Sequence, residues 1–251
     1  MDEDIWNVYP TAMGKDQAWI AYNHSYGERA EADPRSHSLR IRVEFKDPTE
    51  QGMPTNEEFP ALSALDEALD EAVSRLGGVY VGRLTVGGGR FFYYYADSTA
   101  EELNSAIGGV SDSSGYELTL DSQTDPEKER YFSELYPTED DWQVIRDLEV
   151  LDQLQQVGDV PDTEREVGHW AYFDTQAAAD QFAAWAKSEG YSIQKNTLAE
   201  DSEDGNEYVV HFTHIGTMHL GDISSRTVAA GQKAREVGGR YDGWETSVER
   251  D

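Results

Sequence analysis

Four histidines, His169, His211, His214 and His219, and one aromatic–acidic string, Tyr241-Asp242-Gly243-Trp244-Glu245, are the residues of this chain whose types and spacing admit chemistry. Imidazole titrates near neutrality and ligates metals. A metal site needs several donors brought to one point, yet the sequence has no Cys and no His-x-x-x-His helix pair. His211 and His214 stand three apart on what reads as a strand, so their side chains leave opposite faces. No metal and no cofactor are expected. His169 and His211 are expected to face each other on neighbouring strands, an arrangement suited to acid–base work beside a carboxylate or a tyrosine. The sequence has no Gly-x-Ser-x-Gly, phosphate loop or His-Glu-x-x-His. Gly87-Gly88-Gly89 joins two strands without a following helix or a Lys-Ser/Thr pair, so it reads as a hairpin turn.

The string at 241–245 supports binding better than catalysis. Tyr and Trp supply desolvated contact area, and the acids pair with arginines of a partner. With Trp170 they form the expected partner-binding set: Trp170, Tyr241, Asp242, Trp244 and Glu245. No catalytic residue is expected. In a regular strand Tyr241, Gly243 and Glu245 share one face while Asp242 and Trp244 share the other. A bulge at Gly243 changes that and packs Trp244 on a helix instead. Phe91-Phe92-Tyr93-Tyr94-Tyr95 puts aromatics on both faces of another strand. One face must meet helices, and the second is either core or a contact platform.

Fifty acids against 20 bases give a formal charge of −30 over 251 residues. Such a surface opposes direct nucleic-acid binding and favours a basic protein segment as partner. Solubility and adaptation to salt account for the same excess, the latter matching the six lysines among so many acids. The acidic start lacks the basic-then-apolar order of a signal peptide, and no apolar run reaches the roughly 18 residues of a membrane span. A cytoplasmic protein without a membrane segment is expected.

These residues must be positioned by two similar sets of elements. Ile5–Tyr9 and Ala18–Tyr22 read as strands, followed by a polar segment from Gly27 to His37. Leu39, Ile41, Val43 and Phe45 alternate as a half-buried strand. Leu62, Leu65, Leu69, Val73 and Leu76 recur at helical spacing, and Gly77-Gly78 ends that helix. Strands over 79–86 and 90–95, a short helix with a Ser98–Glu101 capping box, and a strand through Tyr116, Leu118 and Leu120 complete a β-α-β-β-α-β order. Asp125-Pro126 opens an acidic helical stretch that Tyr136-Pro137 breaks. A helix over 140–156 carries Trp142, Ile145, Leu148, Leu151 and Leu154 on one stripe. The order then repeats: strand 167–173, a helix capped by Asp174-Thr175, a strand from Tyr191, a polar turn at 201–206, a strand through Tyr208, Val210 and Phe212, a helix capped by Asp222, and a final strand 240–248. The expected fold is α+β: two ferredoxin-like (βαββαβ) sandwich domains with antiparallel sheets, spanning 1–140 and 141–251.

The run Gly238-Gly239-Arg240-Tyr241-Asp242-Gly243-Trp244-Glu245-Thr246 resembles the terminal strand of the RraB family, regulators of RNase E activity. Arg165 to Phe173 is similar to that family's opening strand, and Asp147 to Gly158 to its lead-in. The resemblance covers about residues 143–250. It implies a ferredoxin-like sandwich that binds RNase E and restrains RNA decay. Members with that role are small proteins with acidic flanks, whereas here the domain is fused to another and acids run throughout. The first half resembles a bacterial family filed under domains of unknown function, number 695. Its cues are Trp6, the strand-loop-helix-Gly-Gly order, and Asp125-Pro126 followed by Tyr131 and Leu135-Tyr136-Pro137.

The leading expectation is a non-enzymatic regulatory protein that docks on a basic segment, RNase E being the implied partner and its inhibition the implied outcome. One alternative is a small ferredoxin-like enzyme of the monooxygenase or isomerase kind, using His169 or His211 with a Tyr in a sheet-side pocket. Another is a structural module that forms a homodimer through sheet edges or faces.

Overall fold

A computed structural model describes residues 4–199 and 207–250. The polar turn expected at 201–206 lies outside the described residues. The chain divides into two compact units, 1–137 and 138–251.

The first unit runs β1 (Trp6–Met13), β2 (Asp16–Asn23), α1 (His24–Arg29), β3 (His37–Glu44), α2 (Phe59–Ser74), β4 (Val79–Val86), β5 (Gly89–Ala96), α3 (Ala100–Ser114), β6 (Leu118–Thr124) and α4 (Glu129–Glu134). Its sheet order is β1-β2-β4-β5-β3-β6, and every neighbouring pair is antiparallel. From β3 to β6 this is the expected β-α-β-β-α-β arrangement. The β1–β2 hairpin extends the sheet beyond β4. The α2 stripe Leu62, Leu65, Leu69 and Val73 meets Leu39, Ile41, Val43, Phe92 and Tyr94 in one buried cluster, because alternation on the strands and 3.6-residue spacing on the helix aim both apolar sets at one layer. Gly87 and Gly88 take left-handed conformations (φ 57° and 82°) in the turn between β4 and β5. The capping box of α3 is Thr99–Glu102, one residue beyond the expected Ser98–Glu101 pair.

The opposite face of this sheet is also covered. The helix α1 starts at His24, ahead of the polar segment expected from Gly27, and runs into it as far as Arg29; α1 and α4 close over the sheet through tyrosines. Tyr26 stacks on Tyr95 at 5.7 Å and meets Tyr131 edge-on at 5.0 Å. The hydroxyl of Tyr9 donates to the Leu135 carbonyl, Tyr93 to Glu134, Tyr95 to Asp125 and Tyr131 to the Asn23 carbonyl. Buried Lys128 donates to the carbonyls of Asp33, Arg35 and Pro126, tying down the start of α4. The Phe91–Tyr95 aromatics are therefore packing on both faces, with Phe91 beneath Arg40 and Arg42.

The second unit runs α5 (Glu139–Gln156), β7 (Arg165–Phe173), α6 (Gln176–Ser188), β8 (Ser192–Leu198), β9 (Tyr208–Gly216), α7 (Leu220–Glu236) and β10 (Gly239–Thr246), with sheet order β10-β7-β9-β8, all antiparallel. It is a second β-α-β-β-α-β sheet, preceded by a helix that a Thr138–Asp141 capping box starts. The helix α7 begins at Leu220, so Asp222 sits in its first turn, where it accepts from Thr217, and is not its cap. Helices α6 and α7 bury Phe182, Ala230 and Ala234 against Ala171, Phe173, Val210 and Phe212. The helix α5 lies on α7 and adds Leu154 to a cluster with Val167, Met218 and Ile223. Among the described residues no helix of this unit covers the other face of the sheet.

Candidate functional site

Alternation along β7 sends Val167, His169, Ala171 and Phe173 inward and leaves Glu166, Gly168, Trp170 and Tyr172 on the uncovered face. Trp170 pairs with His211 of β9, and their rings stack 4.6 Å apart at an interplanar angle of 6°. A Cβ at Gly168 would stand 3.1 Å from the Trp170 ring and 3.2 Å from His211 Nε2, so glycine makes room for that stack. Tyr172 lies under the Arg240 guanidinium at 4.3 Å, and Arg240 in turn pairs with Asp242 at 2.7 Å and Glu207 at 3.2 Å. Glu245 stands opposite Gly168. The result is an aromatic ridge with one held cation and a rim of exposed Glu166, Asp242 and Glu245. The indole N–H of Trp170 has no hydrogen-bond partner among the described residues, which leaves a donor open to a ligand.

The rest of the 241–245 string turns the other way. A register shift between Tyr241 and Gly243, with Gly243 at φ 149°, inserts a bulge that puts Tyr241 and Trp244 on the helix side together. Trp244 Nε1 donates to Asp147 Oδ1 at 2.9 Å. Asp147 is fully buried and also accepts from Gln143 at 2.9 Å, Ser224 at 2.9 Å and Thr227 at 2.6 Å. One carboxylate thus joins α5, α7 and β10, with its charge met by four donors, as a buried charge requires. The five residues expected to form one patch are therefore split. Trp170, Asp242 and Glu245 share the open face, while Tyr241 and Trp244 pack half-buried against the core on the helix side, because the bulge reverses the inside–outside order midway along β10.

The histidines are likewise re-sorted. His169 pairs in register with Phe212, so its imidazole meets His214, not His211. Tyr241 Oη lies 2.7 Å from His169 Nδ1, and His169 Nε2 lies 2.9 Å from His214 Nδ1. The Tyr241 hydroxyl has no other acceptor among the described residues. We therefore assign it as donor to His169 Nδ1, which puts the His169 proton on Nε2, donating to His214 Nδ1, and the His214 proton on Nε2. Burial, reinforced for His169 by the neighbouring His214 and for both by the Arg226 charge, depresses their pKa values to about 3 and about 4. Both rings are neutral at pH 7. His211 stays on the open face, and His219 pairs with Asp162 at the surface. The described clefts are lined by neither His169 nor His211. Among the described residues no three His, Asp or Glu side chains gather as a metal site, and no helix is long and apolar enough to cross a membrane.

Sequence reasoning missed Asp147, which reads as one more acid in an acidic helix. A signal existed: Gln143, Asp147, Val150 and Leu154 share helical spacing, and three of the four are fully buried or nearly so. That stripe is buried beside Ile145, while Trp142 and Leu148 are only half-buried.

Residues 145–246 match the family described as Regulator of ribonuclease activity B, and residues 4–136 match the Family of unknown function (DUF695). No curated protein matches the chain. Two solved structures align over most of it at low similarity. An unknown protein from Galdieria sulphuraria has 11% identity and a TM-score of 0.22, covering 85% of this chain and 99% of that one. A putative glycine cleavage system transcriptional repressor has 8% identity and a TM-score of 0.24, covering 86% and 100%. With more than half of its length matched by that model, the chain belongs to the DUF695 family of unknown function, and its second unit is matched by the RraB family.

Proposed function

We propose that this chain is a non-catalytic cytoplasmic regulator whose second unit docks, through the open face of its four-stranded sheet, on an arginine- and lysine-rich segment of an RNase E-type enzyme and restrains RNA cleavage. The observation that carries the reading is the stacked Trp170–His211 pair on a helix-free face whose rim is acidic. An indole with a free N–H gives a flat, partly desolvated anchor, and carboxylates around it steer and pair with guanidinium groups. The family match of this unit points to the same kind of partner. The −30 charge adds long-range attraction for a basic chain and repulsion for RNA itself.

Binding of the purified chain to purified RNase E, measured at low and high salt with RNA cleavage followed in parallel, tests this. The expected result is a complex that weakens with salt, slows cleavage, and is weakened roughly thirtyfold in Trp170→Ala while the variant remains folded. No complex at low salt, or a Trp170→Ala complex of unchanged affinity, rejects it.

A homodimer has separate support in the first unit. Two copies at −30 repel, so contact is least costly where charge is absent. The edge strand β1 has no charged residue from Trp6 to Met13 and exposes Trp6, Val8 and Met13. Light scattering across concentration, with Val8→Glu as the disrupting variant, decides it.

A further inference from the structure

On the helix side of the second unit, away from the open sheet face, a cleft of about 540 Å³ lies where α6 and α7 diverge beyond the end of β9. That size suits a small molecule. Its wall is aromatic: Trp185 and Tyr191 stand 6.2 Å apart. Arg226 sits over the Tyr191 ring at 5.5 Å. Arg226 makes no ion pair among the described residues, in a chain where 50 acids surround 20 bases and most other arginines are paired. Three carboxylates, Glu164, Glu189 and Asp222, line the same cleft.

A second, independent observation lies behind Gly216, one of the residues that line the cleft. His214 is more than nine-tenths buried, and its Nε2 engages no group among the described residues. Gly216, which lines the cleft, stands directly against that atom: a Cβ there would be 2.9 Å from Nε2. Glycine at 216 therefore keeps a side chain from standing between the imidazole edge and the cleft. The Tyr241–His169–His214 chain fixes the tautomer so that this edge presents an N–H donor.

We propose that the cleft binds a small amphoteric molecule of the amino-acid class. Its carboxylate is held by the Arg226 guanidinium and His214 Nε2–H, its ammonium group by the rim carboxylates, and an apolar side chain lies against Trp185 and Tyr191. A guanidinium bonded to the Tyr191 side chain but to no carboxylate, beside a buried neutral donor, selects a carboxylate. The surrounding acids reject a multiply charged anion such as phosphate and welcome a ligand that carries its own cation.

Calorimetry and amide-resolved NMR on the full chain, with L-leucine and L-phenylalanine as probes, test it. Two truncated probes separate the charges: 4-methylpentanoate lacks the ammonium group and 3-methylbutylamine lacks the carboxylate. Expected are saturable shifts at Trp185 and Gly216 with at least one amino acid, and each truncated probe about tenfold weaker or worse. Arg226→Gln is expected to weaken binding by about tenfold or more. Gly216→Ala, which covers the His214 edge, is expected to do the same and serves alone if Arg226→Gln does not fold. Absence of binding by both amino acids at millimolar concentration overturns the proposal. So does 4-methylpentanoate binding as tightly as leucine, or unchanged affinity in a folded variant. Neither the probes nor the variants touch Trp170, so this outcome and that of the RNase E assay are independent.

Discussion

The two units share one topology and differ in what covers the second face of the sheet. In the first, α1 and α4 close it with a layer of tyrosines whose hydroxyls reach backbone carbonyls and carboxylates. In the second, the same face holds Trp170, Tyr172 and His211 and, among the described residues, meets no helix of its unit. A half-covered sheet has one face for stability and one for contact, and a fully covered sheet has only the first. The difference teaches where to look for a partner: topology is silent, and the absent cover speaks.

The largest test concerns the inner side of the second unit. Asp147→Ala removes the acceptor shared by Trp244, Gln143, Ser224 and Thr227 and is expected to cost about 3–5 kcal/mol. Urea unfolding measures it, and hydrogen exchange should confine the loss to residues 138–251. A loss under about 1 kcal/mol would mean the carboxylate is not the joint described.

Acid sharpens the comparison next. The folded pKa values of His169 and His214 lie below the unfolded value near 6.5, so the unfolded chain binds more protons between the two. Their contribution is complete above about pH 6.5 and lost as pH falls toward 4. By pH 5 the second unit should lose on the order of 2 kcal/mol or more. The first unit has no buried histidine pair among its described residues, so its amides should stay protected over that interval. Equal loss in both units would remove the assigned cause.

A smaller effect is expected on the open face. Trp170→Ala should lower partner affinity by about 2 kcal/mol, roughly thirtyfold, while costing about 1 kcal/mol or less in stability. The smallest belongs to the tyrosine layer: Tyr131→Phe removes the hydroxyl donor to the Asn23 carbonyl, costs about 1 kcal/mol and should leave RNase E binding unchanged. A change in binding with Tyr131→Phe would break the division of labour between the units.

Much of this architecture was readable from local pattern. Leu39, Ile41 and Val43 and the Leu62–Val73 stripe announce their shared layer because each is periodic in its own element. The helical stretch between Asp125-Pro126 and Tyr136-Pro137 is readable as α4, but its role as cover over Tyr93 and Tyr95 is not, since α1 and α4 have six residues each, too few to show an apolar face. For Trp244 the sequence leaves two placements open, on the contact face or packed on a helix, because side-chain direction on β10 depends on one bulge, and the bulge at Gly243 selects the second. The histidine pairing was misjudged because register between β7 and β9 is set by the whole sheet and not by either strand.

The bulge at Gly243 has a further consequence for how this chain tolerates change. One extra residue on β10 is what lets two bulky rings enter the interior from positions three apart. Deleting either Asp242 or Gly243 would restore strict alternation and turn one end of the strand over, sending the indole to water or the phenol out of reach of His169. Point substitutions at the exposed Asp242 leave that count intact. Family members should therefore vary freely in residue type at this point of the strand, yet hold its length constant.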